Sequence, residues 1–166
     1  MKLSHPIEID LVEFFLTGKF DYIVPGQDAE WILANFADPD DDSDMGRGFR
    51  IWRWGSIEFH FDHNKLFMIW CDGFRHVASS SSLKVRRGWL DRPTRLTLAR
   101  VQHLLNNGST SYRVVHNPVL QTTQVRILAS NVELHFEAAD MQRDASQPNK
   151  YRMVAFGLSH PDYRRP

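Results

Sequence analysis

Two short stretches of this chain alternate acid, apolar residue and imidazole in the same way: Ser56-Ile57-Glu58-Phe59-His60-Phe61 and Asn131-Val132-Glu133-Leu134-His135-Phe136. In an extended strand successive side chains point to opposite faces, so Glu58 and His60 share a face, and so do Glu133 and His135. Asp62 continues the first set, and His63 follows it. A carboxylate and an imidazole within reach of each other can hold zinc or another divalent cation, or pass a proton to a substrate. A metal, if bound, would take Glu58, His60 and His135. Arg53 and Arg126 argue against that use, because a guanidinium beside the site repels a cation. The strands therefore read as a polar sheet face, with no catalytic residue, no metal and no cofactor assigned. Arg53, Glu58, His60, Arg126, Glu133 and His135 become candidates for a binding surface.

Other residues with chemical potential are less organised. Asp38, Asp40, Asp42 and Asp44 alternate like the start of a calcium loop, which needs Gly at its sixth position and Glu at its twelfth. Counting from Asp40, those positions hold Met45 and Ile51; counting from Asp38, they hold Ser43 and Phe49. Both registers fail. The run reads as a solvated acidic loop whose Asp40, Asp42 and Asp44 could meet a basic partner. Lys84, Arg86, Arg87, Arg92, Arg95 and Arg100 form a basic segment with Trp89 inside it. Arginine–aromatic mixtures bind single-stranded nucleic acid, but no nucleic-acid motif accompanies this one. Gly-x-Gly-x-x-Gly, P-loop, Gly-x-Ser-x-Gly and His-Glu-x-x-His patterns are absent from the sequence. Cys71 lies in an apolar stretch and reads as buried and inert, and Trp52, Trp54 and Trp70 read as core residues by strand phase.

The elements that would position these groups follow from periodicity. Ile7 to Leu16 suits a short helix ended by Gly18, and a second helix starts near Asp28 with Trp31, Ile32, Leu33 and Phe36 on its apolar side. Ile51–Trp54 and Ile57–Phe61 flank Gly55-Ser56, the Gly-X pair of a tight hairpin turn. That turn sets Trp54 against Ile57, Arg53 against Glu58 and Trp52 against Phe59. Leu66–Cys71 makes a third strand. In the second half, Thr97–Leu105 suits a helix stopped by Asn106-Asn107-Gly108. A hairpin about Ser130-Asn131 would set Ile127 against Leu134 and Arg126 against His135. Tyr151–Phe156 follows after a polar loop spanning 138–149, with Met153 in the place of Met68.

The order helix, hairpin, third strand occurs twice, which implies a duplication. The expected fold is α+β: a tandem repeat of a helix plus a three-stranded antiparallel sheet, the sheets continuous and the helices on one face. Residues 1–78 would form the first unit, 79–82 a Ser-rich join and 83–166 the second, within one compact domain.

Bulk properties bound the partner. The chain has 166 residues, 42% hydrophobic and 24% charged, which is ordinary for a globular domain. The net charge is zero, but residues 1–83 carry −7 and residues 84–166 carry +7. Such an asymmetry steers charged partners or favours head-to-tail association. One cysteine rules out an internal disulfide framework, and Met1 to Pro6 shows no apolar segment of signal-peptide length. With no stretch of the roughly 20 apolar residues a membrane span needs, the expectation is a cytoplasmic protein without membrane contact.

Pro25-Gly26-Gln27, the helix through Phe36, Asp38-Pro39 and the Trp52-Arg53-Trp54-Gly55-Ser56-Ile57-Glu58-Phe59 hairpin resemble a unit of a bacterial protein family. In that unit a glycine-led helix precedes Trp-x-(Tyr/Trp)-Gly-x-Ile-Glu-Phe. The unit is distantly similar to the repeat of the β-lactamase-inhibitor protein and of small outer-membrane assembly lipoproteins. The match covers residues 25–70 well and 95–157 loosely. Ala37-Asp38-Pro39 departs from the usual Leu-Gly-x-Pro, and a lipobox cysteine is absent. The resemblance implies a non-enzymatic protein-interaction domain of the immunity or inhibitor type, with a protein partner. The alternatives are a metal-dependent hydrolase built on the Glu-x-His strands, or nucleic-acid binding through 84–100. A homodimer is left open.

Overall fold

Asp10 ends one element and starts the next. A computed structural model describes residues 6–73, 80–92, 95–138 and 150–163; the N-terminal residues 1–5, Ser79 of the join and the 139–149 part of the polar loop lie outside them. Ile7–Asp10 is strand β1 and Leu11–Thr17 is helix α1, where a single helix was expected. The Asp10 carboxylate accepts hydrogen bonds from the Val12 and Glu13 N–H groups at 2.9 and 3.1 Å, so the helix begins there. Gly18 closes it in the left-handed conformation, as expected. Helix α2 (Ala29–Asn35) buries Ile32 but leaves Trp31 and Leu33 exposed, so its apolar side is narrower than the sequence suggests.

Strands β2 (Asp41–Gly46), β3 (Phe49–Trp54), β4 (Ile57–Asp62) and β5 (Lys65–Cys71) form an antiparallel meander. β6 (Leu83–Arg86) pairs in parallel with β1, away from the main sheet. After helix α3 (Leu98–Asn107) come β7 (Tyr112–Asn117), β8 (Thr122–Ile127), β9 (Glu133–Ala138) and β10 (Tyr151–Ser159). The main sheet has eight strands in the order β2-β3-β4-β5-β10-β9-β8-β7. The chain is α+β, but the expected tandem of helix-plus-three-strand units is corrected. Asp41–Gly46 and Tyr112–Asn117 are edge strands that periodicity did not reveal, and one sheet runs through both halves. Met68 and Met153 are not equivalent either: Met68 pairs with His60 on one face, while Met153 pairs with Phe136 and is buried on the other.

Both central strands contain a bulge. Phe67 is the extra residue of β5 and Val154 that of β10. A bulge shifts strand phase by one residue, so Leu66 and Ile69 point to the same face, as do Met153 and Phe156. That inner face meets the helices. Phe20 lies 5.5 Å from Phe59, Phe36 5.6 Å from Trp54, and Phe15 5.0 Å from Phe156, ring centre to ring centre. Each such fully buried ring contributes about 1.5–3 kcal/mol of transfer free energy. The helical layer therefore fixes the inner face and leaves the outer face to carry polar groups.

Candidate functional site

The outer face is organised by one row of residues that crosses the whole sheet. Asp41, Arg53, Glu58, Trp70, Gly157, Glu133, Arg126 and Arg113 are each the cross-strand partner of the next. The β3–β4 pairing is the one expected, because the two-residue Gly55-Ser56 turn permits no other register. The β8–β9 pairing differs. Asn131 N–H donates to the Ile127 carbonyl and Ile127 N–H to the Val132 carbonyl, which makes a longer loop over 128–132. Arg126 therefore faces Glu133 instead of His135. The slip is two residues, so every side chain keeps its expected face.

In the first cluster, Arg53 Nε donates to Glu58 Oε1 at 2.9 Å and Arg53 Nη1 to Asp41 Oδ2 at 2.9 Å. His60 Nε2 lies 2.8 Å from Glu58 Oε2. Burial by itself would raise the Glu58 carboxyl, but Arg53 and His60 outweigh it and hold the group below its ordinary range. In the second cluster, Arg126 Nε and Nη2 reach Glu133 Oε1 at 2.8 and 2.6 Å. His135 Nε2 stays 3.8 Å from Glu133 Oε2, is itself buried, and has no hydrogen-bond partner among the described residues. Desolvation pushes the His135 imidazole down, against the opposing pull of Glu133.

Trp70 sits between the clusters. Its indole covers Gly157, where an added Cβ would come within 2.5 Å of the ring, and its centre is 5.0 Å from that of His135. Trp52 and Trp54 are core residues as expected, but Trp70 is half-buried on the outer face. The signal was available in its place between the inward Ile69 and Cys71; nothing in the sequence marked Gly157 as its seat.

The two Glu-x-His pairs share the outer face but do not form one site. Glu58 and Glu133 are separated by three strand-to-strand steps, about 14 Å. His60 and His135 lie on opposite sides of the Trp70 row. Among the described residues no group of three His, Cys, Asp or Glu is placed to hold a metal ion. Asp62 is engaged elsewhere: Tyr163 Oη donates to it at 2.5 Å, His63 lies against its other oxygen, and these contacts hold its carboxyl low.

The acidic run is an edge strand rather than a loop. Asp40 Oδ2 accepts from the Gly55 N–H at 2.9 Å, Asp42 pairs with Arg50 at 3.1 Å, and Asp44 accepts from the Gly46 N–H at 2.8 Å. Aspartate is disfavoured in strands, yet a charged edge deters pairing with another sheet. Cys71 is buried and its thiol is pushed up to about 12 by that burial, which leaves it a poor nucleophile. The basic segment is divided. Arg86 pairs with Asp10 at 2.7 Å and Glu8 at 3.2 Å across the β1–β6 ribbon, while Arg92, Arg95 and Arg100 lie exposed near the start of α3.

No family model matches the chain, and no curated protein matches it significantly. Among solved structures it is similar to an extracellular protein containing a SCP domain from Bacillus anthracis str. Ames (11% identity, TM-score 0.36), covering 83% of this chain and 44% of that one. It is also similar to a cysteine-rich secretory protein from Staphylococcus aureus subsp. aureus Mu50 (13% identity, TM-score 0.36), covering 80% and 44%. The chain spans less than half the length of each, and likeness of this degree assigns no activity. Both proteins are described as extracellular or secretory, so the cytoplasmic expectation is withdrawn as a correction; at that TM-score no compartment replaces it. No helix among the described residues is long and apolar enough to cross a membrane.

Proposed function

We propose that the protein is a non-enzymatic protein-interaction domain of the immunity or inhibitor type, and that the outer sheet face is its contact surface. One observation carries the reading: a half-buried tryptophan shares one cross-strand row with two arginines, Arg53 two strands to one side and Arg126 three strands to the other, each already oriented by a carboxylate. Trp and Arg dominate binding energy at protein interfaces, and side chains ordered before binding lose less entropy on association. The resemblance of the β3–β4 hairpin to the unit of protein-binding families points the same way. The hydrolase alternative requires Glu58, His60 and His135 around one ion, which the strand order keeps apart.

The test is affinity capture from the source organism with the folded full chain as bait. The expected result is a stoichiometric partner that Trp70→Ala releases by about 100-fold or more, and that the control Trp31→Ala, an exposed side chain of helix α2, retains. Failure to recover a stoichiometric partner, or equal release by both variants, would overturn the proposal.

A further inference from the structure

The unpaired end of the basic segment forms a groove on the helical side of the molecule. Trp89, Arg92, Arg95 and Arg100 line a cavity of about 490 Å³, with Asp91 the acid among its lining residues. The backbone beneath it is held in place. Leu90 and Leu96 are buried anchors, the Asp91 and Arg95 N–H groups close tight turns onto Gly88 and Arg92, and Met153 N–H donates to the Leu96 carbonyl at 2.9 Å. Trp89 packs edge-on against Phe15 of α1 at 6.1 Å. Gly88 lets this turn approach α1, because an added Cβ there would meet Val12 at 2.8 Å.

Among the described residues, Asp91 is the one acid that lines this groove beside its three arginines. Arg92, Arg95 and Arg100 form no ion pair among the described residues, whereas Arg86, six residues before Arg92, holds two carboxylates. Arg100 also stands in the first turn of α3, which has no acidic residue there. A cation at that end of a helix opposes the helix dipole. Three guanidiniums against one carboxylate leave two positive charges, which a phosphate monoester, doubly charged near neutrality, would balance. Guanidinium forks match phosphate oxygens, and the exposed part of Trp89 offers a surface for a ring.

We propose that the groove binds a small phosphate monoester that carries a ring, with the phosphate on Arg92, Arg95 and Arg100 and the ring against Trp89. The volume is that of a small-ligand site. A nucleic-acid chain fits less well, because the cavity adjoining the groove past Gly88 balances Arg86 and Arg87 with Asp10 and Asp91 and offers no net positive charge for further phosphates. The inference does not depend on the role of the outer face.

The test is calorimetric titration of the full chain with adenosine monophosphate, inorganic phosphate and adenosine, together with the Trp89 indole N–H resonance, assigned with Trp89→Phe. The monophosphate is expected to bind once per chain, to shift the Trp89 signal, and to bind tighter than inorganic phosphate or adenosine. Arg95→Gln and Arg100→Gln should each weaken it by about tenfold. Absence of both heat and indole shift with the unaltered chain at low salt would overturn the proposal. So would unchanged affinity in the folded arginine variants, or tighter binding of a short single-stranded oligonucleotide.

Discussion

On β4 the Glu58 carboxylate is divided between Arg53 and His60; on β9 one oxygen of Glu133 takes both Arg126 contacts, and His135 is left 3.8 Å from the other. The residue types and their spacing along the strand are the same. The difference comes from the neighbouring strands. Asp41 on β2 takes the far nitrogen of Arg53 at 2.9 Å, so this guanidinium bridges two acids. The cross-strand neighbour of Arg126 on β7 is another arginine, Arg113. Trp70 leans across Gly157 toward β9, so its bulk desolvates His135. A Glu-x-His pattern thus acquires its electrostatics from side chains two strands away.

The change with the largest expected effect removes the seat of Trp70. Gly157→Ala places a Cβ where 2.5 Å separates it from the indole, so Trp70 must leave its position or the strands must part. Overpacking of this kind costs about 2 kcal/mol. Urea unfolding would measure it, and a variant as stable as the parent would show that Trp70 is not held over Gly157.

Removing each acid in turn comes next. Glu58→Gln weakens contacts to two partners and Glu133→Gln to one. For these largely buried carboxylates, paired with more exposed arginines, the expected losses are about 1 kcal/mol and roughly half of that. Equal losses would mean that the His60 contact contributes nothing to stability.

The two clusters should also respond to acid in different windows. The folded His135 imidazole titrates below its ordinary 6.5. As pH falls through 6.5 the unfolded chain takes up a proton that the folded chain refuses, so stability is lost on acidification. The folded Glu58 carboxyl titrates below its ordinary 4.5. Its stabilisation is complete above that value and is lost as pH falls below it, joined by Asp10 and Asp62, whose carboxyls are held down by Arg86 and Tyr163. Thermal melts between pH 7.5 and 3, a range set by these ordinary values, should fall in two stages. His135→Gln should remove the upper stage alone, and Glu58→Gln should reduce the lower. A single stage unaffected by His135→Gln would remove the distinction between the clusters.

Much of the first cluster was legible in the sequence. Gly55-Ser56 dictates a two-residue turn, and with it Arg53 opposite Glu58. The second was less so: Asn131, at φ +61°, occupies the left-handed region that a two-residue turn also uses, so the five-residue loop could not be told from the shorter one. Two of the unforeseen strands, β2 and β1, were hidden for separate reasons. Asp41–Gly46 has the composition of a loop and becomes a strand through pairing with Arg50 and Arg53. β1 lay concealed in a run that reads as helix, because its partner, Leu83–Arg86, is more than 70 residues away. The Trp89 groove joins a short turn, packed on α1 through Trp89, to the start of α3, a contact that periodicity does not encode.

The smallest predicted effect is also the most direct test of why the clusters differ. If the acid on β2 is what makes Arg53 a bridge, a carboxylate opposite Arg126 should create the same bridge on the other side. Arg113→Glu replaces a like-charge neighbour with an opposite one. The expected gain is about 0.5 kcal/mol, and Asp41→Asn should cost a similar amount, since the Arg53–Asp41 pair is solvent-exposed and Arg113 stands exposed on the opposite edge strand. Both effects should shrink in roughly 1 M salt, where the Debye length is about 3 Å. The loss of stability below pH 6.5 should persist in Arg113→Glu, because it arises from the burial of His135 beside Trp70 and not from the state of Arg126. A variant that gains stability and also loses that pH response would show that Arg126, rather than Trp70, sets the imidazole.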